Sequence, residues 1–167
     1  MAIKIVLEPV TVDNWKASIA LELAPDQQNF VSSNLYSIAE AQFYPDAKSR
    51  AIYDEENQLV GYALFGRDVF TQKWKIFRIM IDKSHQQKGY GKAAMKEIIK
   101  TISKESDCND ILICYQDSNQ VARRLYASLG FIEKEISSDG KVTALLAMKS
   151  IEGDLIARDP DEDHCPR

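Results

Sequence analysis

The chain has 167 residues, 45% of them apolar and 28% charged, with a formal net charge of −4. That length suits one domain with one sizeable core, and the acidic balance argues against non-specific nucleic-acid binding while suiting a cationic substrate. No apolar run approaches the ~18 residues of a membrane span. MAIKIVLEPV lacks a signal peptide's basic start and cleavage site, so a cytoplasmic location away from any membrane is expected.

The cysteines, Cys108, Cys114 and Cys165, are odd in number and match no zinc spacing, so reduced thiols are expected. His85 and His164 are the only histidines. Neither a catalytic triad nor a two-histidine metal site is expected, and no metal.

Residues 3–9 alternate and predict a strand. Thr11 or Asp13 is placed to cap a helix running through Val12, Trp15, Ile19 and Leu23. Pro25 and Asp26 start a second helix in this reading, through Phe30, Leu35, Ile38 and Ala39, with Pro45 ending it. Residues 50–55 and 58–66 read as a hairpin, with Gly61 inside the second strand suggesting a bulge or close backbone approach. Residues 73–82 form another strand, whose Ile79–Ile81 end is apolar enough for burial on both faces.

A helix over 92–104 follows, with Ala94, Ile98 and Ile102 on one face and Met95 and Ile99 beside them. Residues 110–116 read as a buried strand. Asp117, Ser118 and Asn119 offer caps for a helix in which Val121, Ala122, Leu125, Tyr126 and Leu129 share one side, and Gly130 closes it. Strands at about 131–137 and 141–149 are joined by Ser138-Asp139-Gly140, a good hairpin turn. Residues 151–167 carry six acidic residues and two prolines and read as a mobile acidic tail after a single domain at 1–150. The order βααβββαβαββ, with hairpins preceding a βαβα segment, predicts an α/β (α+β mixed) fold: one mixed sheet with helices on both faces.

Gln86-Gln87-Lys88-Gly89-Tyr90-Gly91 joins a buried strand to an amphipathic helix. The first turn of a helix has unpaired N–H groups and a positive dipole end, and glycines let an anion approach them. Lys83, Lys88 and Lys92 add positive charge there. A Walker A loop fails, because Ala93 stands where Ser or Thr is needed. A dinucleotide fingerprint matches from Gly89 to Ala94, but it should follow the first strand of the fold. A βα turn with chance glycines is the third reading.

A second segment, Asn119 to Phe131, lies one strand later. The two together resemble the GNAT acetyltransferase superfamily: Gln86, Gly89 and Gly91 stand for its [QR]xxGx[GA] motif, and Asn119, Ala122, Tyr126, Gly130 and Phe131 for its second. The likeness covers roughly residues 3–149. It implies a GNAT-like, mostly antiparallel central sheet, acetyl-CoA as cosubstrate, and direct attack of an amine on the thioester. On this likeness Met80 and Ile81 would contact the pantetheine arm through their backbone, residues from Gln86 to Lys92 would hold the pyrophosphate, and Asn119 would hydrogen-bond the pantetheine. Tyr126 would protonate the departing thiolate, a step a tyrosine hydroxyl can supply. No histidine or carboxylate pair marks a general base.

The N-terminal half is similar to a narrower group, the bacterial spermine/spermidine (diamine) N-acetyltransferases, through Gln28-Asn29-Phe30-Val31, Ala51-Ile52-Tyr53 and Arg78-Ile79-Met80-Ile81-Asp82. Phe77 stands where some relatives carry an acidic residue, and Gln87 where glycine is commoner. The likeness implies a polyamine acceptor, for which Glu40, Tyr36 and Glu22 are candidate contacts, because ammonium groups need carboxylates or aromatic faces. Another amine (an aminoglycoside, an amino acid, a protein N-terminus or a lysine) would use the same chemistry, and a non-catalytic CoA-binding regulatory module is a further alternative. A homodimer through the hairpin at 131–149 is also implied by analogy.

Overall fold

A computed structural model describes residues 3–44, 46–151 and 154–157, those from residue 149 onward as backbone. The strands are β1 (Ile5–Pro9), β2 (Lys48–Asp54), β3 (Leu59–Arg67), β4 (Trp74–Ile81), β5 (Asp110–Gln116), β6 (Ile132–Ile136), β7 (Lys141–Ile151) and β8 (Asp154–Ala157). The helices are α1 (Trp15–Ile19), α2 (Asn34–Glu40), α3 (Tyr90–Ser103) and α4 (Gln120–Ala127). In the sheet the strands run β1-β2-β3-β4-β5-β7-β6, and β8 pairs with β7. Every pairing is antiparallel except β4 with β5. The expected element order holds, with β8 added inside the segment expected as a tail. Cys165, His164 and the rest of that segment lie outside the described residues, as does Pro45.

The N-terminal helices are shorter than their apolar spacing suggests. Around α1, Asn14 replaces Thr11 or Asp13 as the cap residue: its Oδ1 accepts from Thr11 N at 2.8 Å and its Nδ2 donates to Pro9 O at 3.0 Å. Val12 is exposed. The predicted second helix is two pieces. Pro25–Gln27 makes a single 3-10 turn, and α2 begins at Asn34, where Ser33 Oγ accepts from Tyr36 N at 3.1 Å. A serine with a free hydroxyl is a better helix start than a mid-helix residue, so residues 28–33 become a loop.

Two clusters make the core. The larger packs α3 and α4 against one sheet face and includes Ile98 and Ile102 of α3, both fully buried. Truncating either to alanine would cost about 2–5 kcal/mol. The smaller, on the opposite face, joins Tyr62, Leu64 and Met80 to Leu21, Leu23 and Ile38. Alternation along β3 divides its side chains between the two, as a period of two requires.

Two irregularities shape the middle of the sheet. Gly61 lies beside a register shift between Ile52 and Tyr53, and a Cβ on it would stand 2.4 Å from Met80 O, so the close approach foreseen for this glycine is real. The second shift puts one extra residue, Phe77, into β4 opposite the Leu64–Phe65 step. A bulge bends its strand and breaks the ladder. Beyond it β4 parts from β5: the parallel pairing covers Trp74–Ile76 and stops there.

Candidate active site

The parting of β4 and β5 leaves one edge of residues 77–81 without a partner strand. Ile79 and Ile81 were expected to be buried on both faces; they are half-buried, because the gap replaces the neighbour that would cover them. A cleft of ≈ 300 Å³ opens on the side of α3 and α4, and a cavity of ≈ 240 Å³ opens toward the loop before α2. Phe30, Val31, Ile79, Asn119 and Tyr126 line both. The two spaces therefore meet across the gap.

The glycine turn forms one end of the cleft. Gly89 is the N-terminal cap of α3 with φ 85°, a left-handed conformation suited to glycine, and a Cβ there would meet Ile3 Cδ1 at 2.5 Å. Gly91 is different. A Cβ on it would find only ordinary contacts, at 3.8 Å to Ile81 and Leu125. Gln87 carries φ 61°, a left-handed conformation in which a residue with a Cβ is strained by about 1–2 kcal/mol. Gln86 Nε2 donates to Ile81 O at 2.9 Å and to Gln27 Oε1 at 2.8 Å. Tyr90 lines the cleft, and its hydroxyl donates to Asp54 Oδ2 at 3.3 Å. Lys88 and Lys92 are exposed and do not line the cleft; Lys88 Nζ donates to Ser84 O at 3.0 Å. Lys83 is paired with Glu22. The positive end of the α3 dipole therefore lies at this end of the cleft, with the lysines outside it.

Met80 and Ile81 divide as strand neighbours do. The Met80 side chain belongs to the smaller core cluster, so its backbone faces the site, while the Ile81 side chain packs toward α3. Asn119 caps α4, accepting from Ala122 N at 3.1 Å through Oδ1, which leaves its Nδ2 as a free donor. The unpaired edge of β4, the N-terminus of α3 and the unbonded Nδ2 of Asn119 all border the cleft.

Tyr126 sits between cleft and cavity. It is 7% exposed and its ring lies 5.2 Å from Tyr115 and 6.0 Å from Phe131. Burial pushes its hydroxyl up to about 12, so it holds its proton across the physiological range. Tyr115 is locked: its hydroxyl donates to Glu133 Oε1 at 2.7 Å, and Arg123 Nε and Nη2 each donate to that carboxylate at 2.6 Å. Val121, expected on the buried side of α4, is exposed on the wall of the cleft.

The three acceptor candidates are not brought together. Glu40 Oε2 accepts from Arg78 Nη2 at 3.1 Å, and the Tyr36 ring lies 6.0 Å from the same guanidinium, so these two converge on Arg78. Glu22 lies with Lys83, and none of the three lines either space. Gln27, Phe30 and Val31 do line the site, although no motif marked them as such. Cys114 lines the cavity, 3.8 Å from Thr143 Oγ1, while Cys108 is buried and pushed up to about 11 by that burial. No helix among the described residues is long and apolar enough to cross a membrane.

Comparison with known proteins agrees with this geometry. The family model described as Acetyltransferase (GNAT) family matches residues 15–131. The chain is 29% identical over 131 residues to a probable spermine N(1)-acetyltransferase of Bacillus subtilis subsp. natto, and 28% identical over 131 residues to a spermine/spermidine N(1)-acetyltransferase of Bacillus subtilis; each match covers 75% of this chain and 86% of the relative. The crystal structure of spermidine N-acetyltransferase from Vibrio cholerae in complex with CoA and spermine superposes with a TM-score of 0.67 at 13% identity, covering 92% of this chain and 95% of that one. The split sheet, the glycine turn and the family match together establish that this chain belongs to the GNAT family and is an acetyl-CoA-dependent N-acetyltransferase.

Proposed function

We propose that the enzyme moves the acetyl group to a primary amine by direct attack, with acetyl-CoA in the ≈ 300 Å³ cleft and the amine in the ≈ 240 Å³ cavity. The observation that carries the reading is that Tyr126 lines both spaces, buried and protonated, where an acid for the leaving thiolate is needed. Gln86, Gly89 and Gly91 hold the pyrophosphate in this reading, with Tyr90 at its edge. The backbone of Met80 and Ile81 and the amide of Asn119 hold the pantetheine. A backbone N–H of the unpaired β4 edge faces the developing oxyanion.

The acceptor with which to begin is a polyamine, after the activities named for the two Bacillus relatives. The aromatic faces of Phe30, Phe77, Tyr115 and Tyr126 suit an alkylamine end. Glu40, Tyr36 and Glu22 lie outside the cavity, the first two at Arg78 and the third at Lys83, so none of them holds the reacting amine in this reading. A cytoplasmic enzyme fits this chemistry. Ile132 and Ile136, exposed on edge strand β6, are the apolar residues that a homodimer through the closing hairpin would cover.

The test is release of CoA thiol from acetyl-CoA with spermidine, spermine and lysine as acceptors. Amine-dependent release, fastest with a polyamine, is expected. Tight CoA binding with no release for any amine would favour a regulatory module instead.

A further inference from the structure

We propose that this enzyme makes its acceptor amine nucleophilic through the charge of Lys141, which lines the acceptor-side cavity, and uses no protein base. The proposal rests on the acetyl-transfer reading and concerns how the amine loses its proton.

The charged side chains lining that cavity are Lys75, Arg78 and Lys141, and no carboxylate lines it. From β4, Lys75 Nζ lies 2.9 Å from Asp68 and Arg78 lies 3.1 Å from Glu40, so these carboxylates are engaged behind the wall. From β5 and α4 come Cys114 and two hydroxyls, Tyr115 bonded to Glu133 and Tyr126. Glu133 itself is held by Arg123, which keeps it well below the usual carboxylate range and makes it a poor proton acceptor. From β7 comes Lys141, exposed and opposite Gln116 in the register; its backbone N bonds Ser137, and the carboxylates beside it are Asp139, which bonds Ser137 and also feels the Lys141 charge, and Asp117, next to Gly140. Among the described residues the Lys141 ammonium forms no ion pair and no hydrogen bond.

A free alkylammonium titrates near 10.4 and is neutral about once in 10³ at pH 7. Nearby positive charge and removal from water both favour the uncharged form. Here the charge is the larger effect: Lys141 supplies it, and the rings of Phe30, Phe77, Tyr115 and Tyr126 share the lining with polar groups. A polyamine need place only its reacting end inside. The ammonium gives one proton to water. The neutral nitrogen then forms the C–N bond as the C–S bond breaks, sulfur receives a proton from Tyr126, the nitrogen gives its surplus proton to water, and Tyr126 is reprotonated from water. The net change is one proton released per acetyl group moved.

The test is the pH dependence of the single-turnover rate, measured with whichever of spermidine, spermine or lysine the wild type acetylates fastest. The rate should rise with pH as the bound ammonium deprotonates. Lys141→Glu should move that rising limb up by about one pH unit, lower the rate at pH 7 by about tenfold, and tighten rather than weaken the acceptor's apparent binding. Lys141→Met should fall between, and Lys141→Arg should keep the wild-type limb. A limb in Lys141→Glu within about 0.2 unit of wild type, where a change near one unit is expected, would overturn the proposal and leave the transfer reading intact. Absence of turnover with all three amines would overturn the transfer reading, and this proposal with it.

Discussion

Tyr115 and Tyr126 pack with ring centroids 5.2 Å apart, yet only one hydroxyl is committed: Tyr115 donates to Glu133 at 2.7 Å, whereas Tyr126 has no hydrogen-bond partner among the described residues. The bonded tyrosine therefore serves as a fixed wall against which the unbonded one is held, its proton free for the site.

Tyr126→Phe removes that hydroxyl and keeps the ring, so the packing against Tyr115 and Phe131 should survive. A fall in kcat of about 10²-fold is expected, with the KM for acetyl-CoA little changed. Steady-state kinetics at saturating substrates, with chemistry shown to limit the rate, checks this; a change within about twofold, far below a general acid's usual contribution, would remove Tyr126 from the chemistry. The raised hydroxyl also sets a pH sign. The unfolded chain gives up this proton near 10 and the folded one near 12. Tyr126 thus adds no pH dependence to stability below about pH 9 and lowers stability as pH rises through that window. Wild type should lose more stability than Tyr126→Phe there, in urea melts at pH 9 and 11.

Gly89 and Gln87 should respond oppositely to substitution. Gly89→Asp places a side chain at φ 85°, against Ile3 Cδ1, and a negative charge beside the phosphate cradle. Weaker acetyl-CoA binding and a lower melting temperature are expected. Gln87→Gly relieves the strain at φ 61° and should leave stability unchanged or raise it by up to about 1 kcal/mol, after the entropy glycine adds to the unfolded chain. Calorimetric titration with acetyl-CoA and thermal melts of both variants check the pair. A normal affinity in folded Gly89→Asp would contradict the phosphate assignment.

Gln27→Ala cuts the bond from the Pro25–Ser33 segment to Gln86 and so to the cofactor turn. A neutral hydrogen bond is worth about 0.5–1.5 kcal/mol net, or roughly twofold to tenfold in an equilibrium. The larger effect should fall on the acceptor's KM, because Phe30 and Val31 of that segment line both spaces. Gln27→Glu would put a second acceptor opposite Gln86 Nε2 and should retain more of the wild-type behaviour. Equal KM values for wild type and Gln27→Ala would show that the loop holds itself in place.

Replacing Cys108, Cys114 and Cys165 by serine should preserve turnover if the protein folds. Cys108 is buried and pushed up to about 11, so it carries almost no thiolate at neutral pH. Cys114 touches the acceptor cavity and lies by Thr143. Complete loss of activity in a folded triple variant would point to an acetyl-thioester on the protein instead of direct transfer, and mass spectrometry after one turnover would detect it.

The amino-acid sequence by itself determined the elements with strong local signals. The α3 stripe of Ala94, Ile98 and Ile102, the hairpin through Gly140, the cap at Asn119 and the glycine turn all follow from periodicity or from backbone conformations that few residues adopt. Its local motif also singles out Tyr126, a residue that lines both spaces in the fold. The sequence overextended the N-terminal helices, since apolar spacing alone does not reveal that the Asn14 side chain ties the turn before α1 back to Thr11 and Pro9 or that Ser33 Oγ caps α2. Tertiary structure decided the rest. The Phe77 bulge exists only as a mismatch between two strands, and the gap between β4 and β5 follows from it. Arg78 claimed Glu40 from 38 residues away, and Lys141 came to the acceptor cavity through the β5–β7 ladder. Such partners are joined by chain crossing in space, and no spacing along the sequence encodes them.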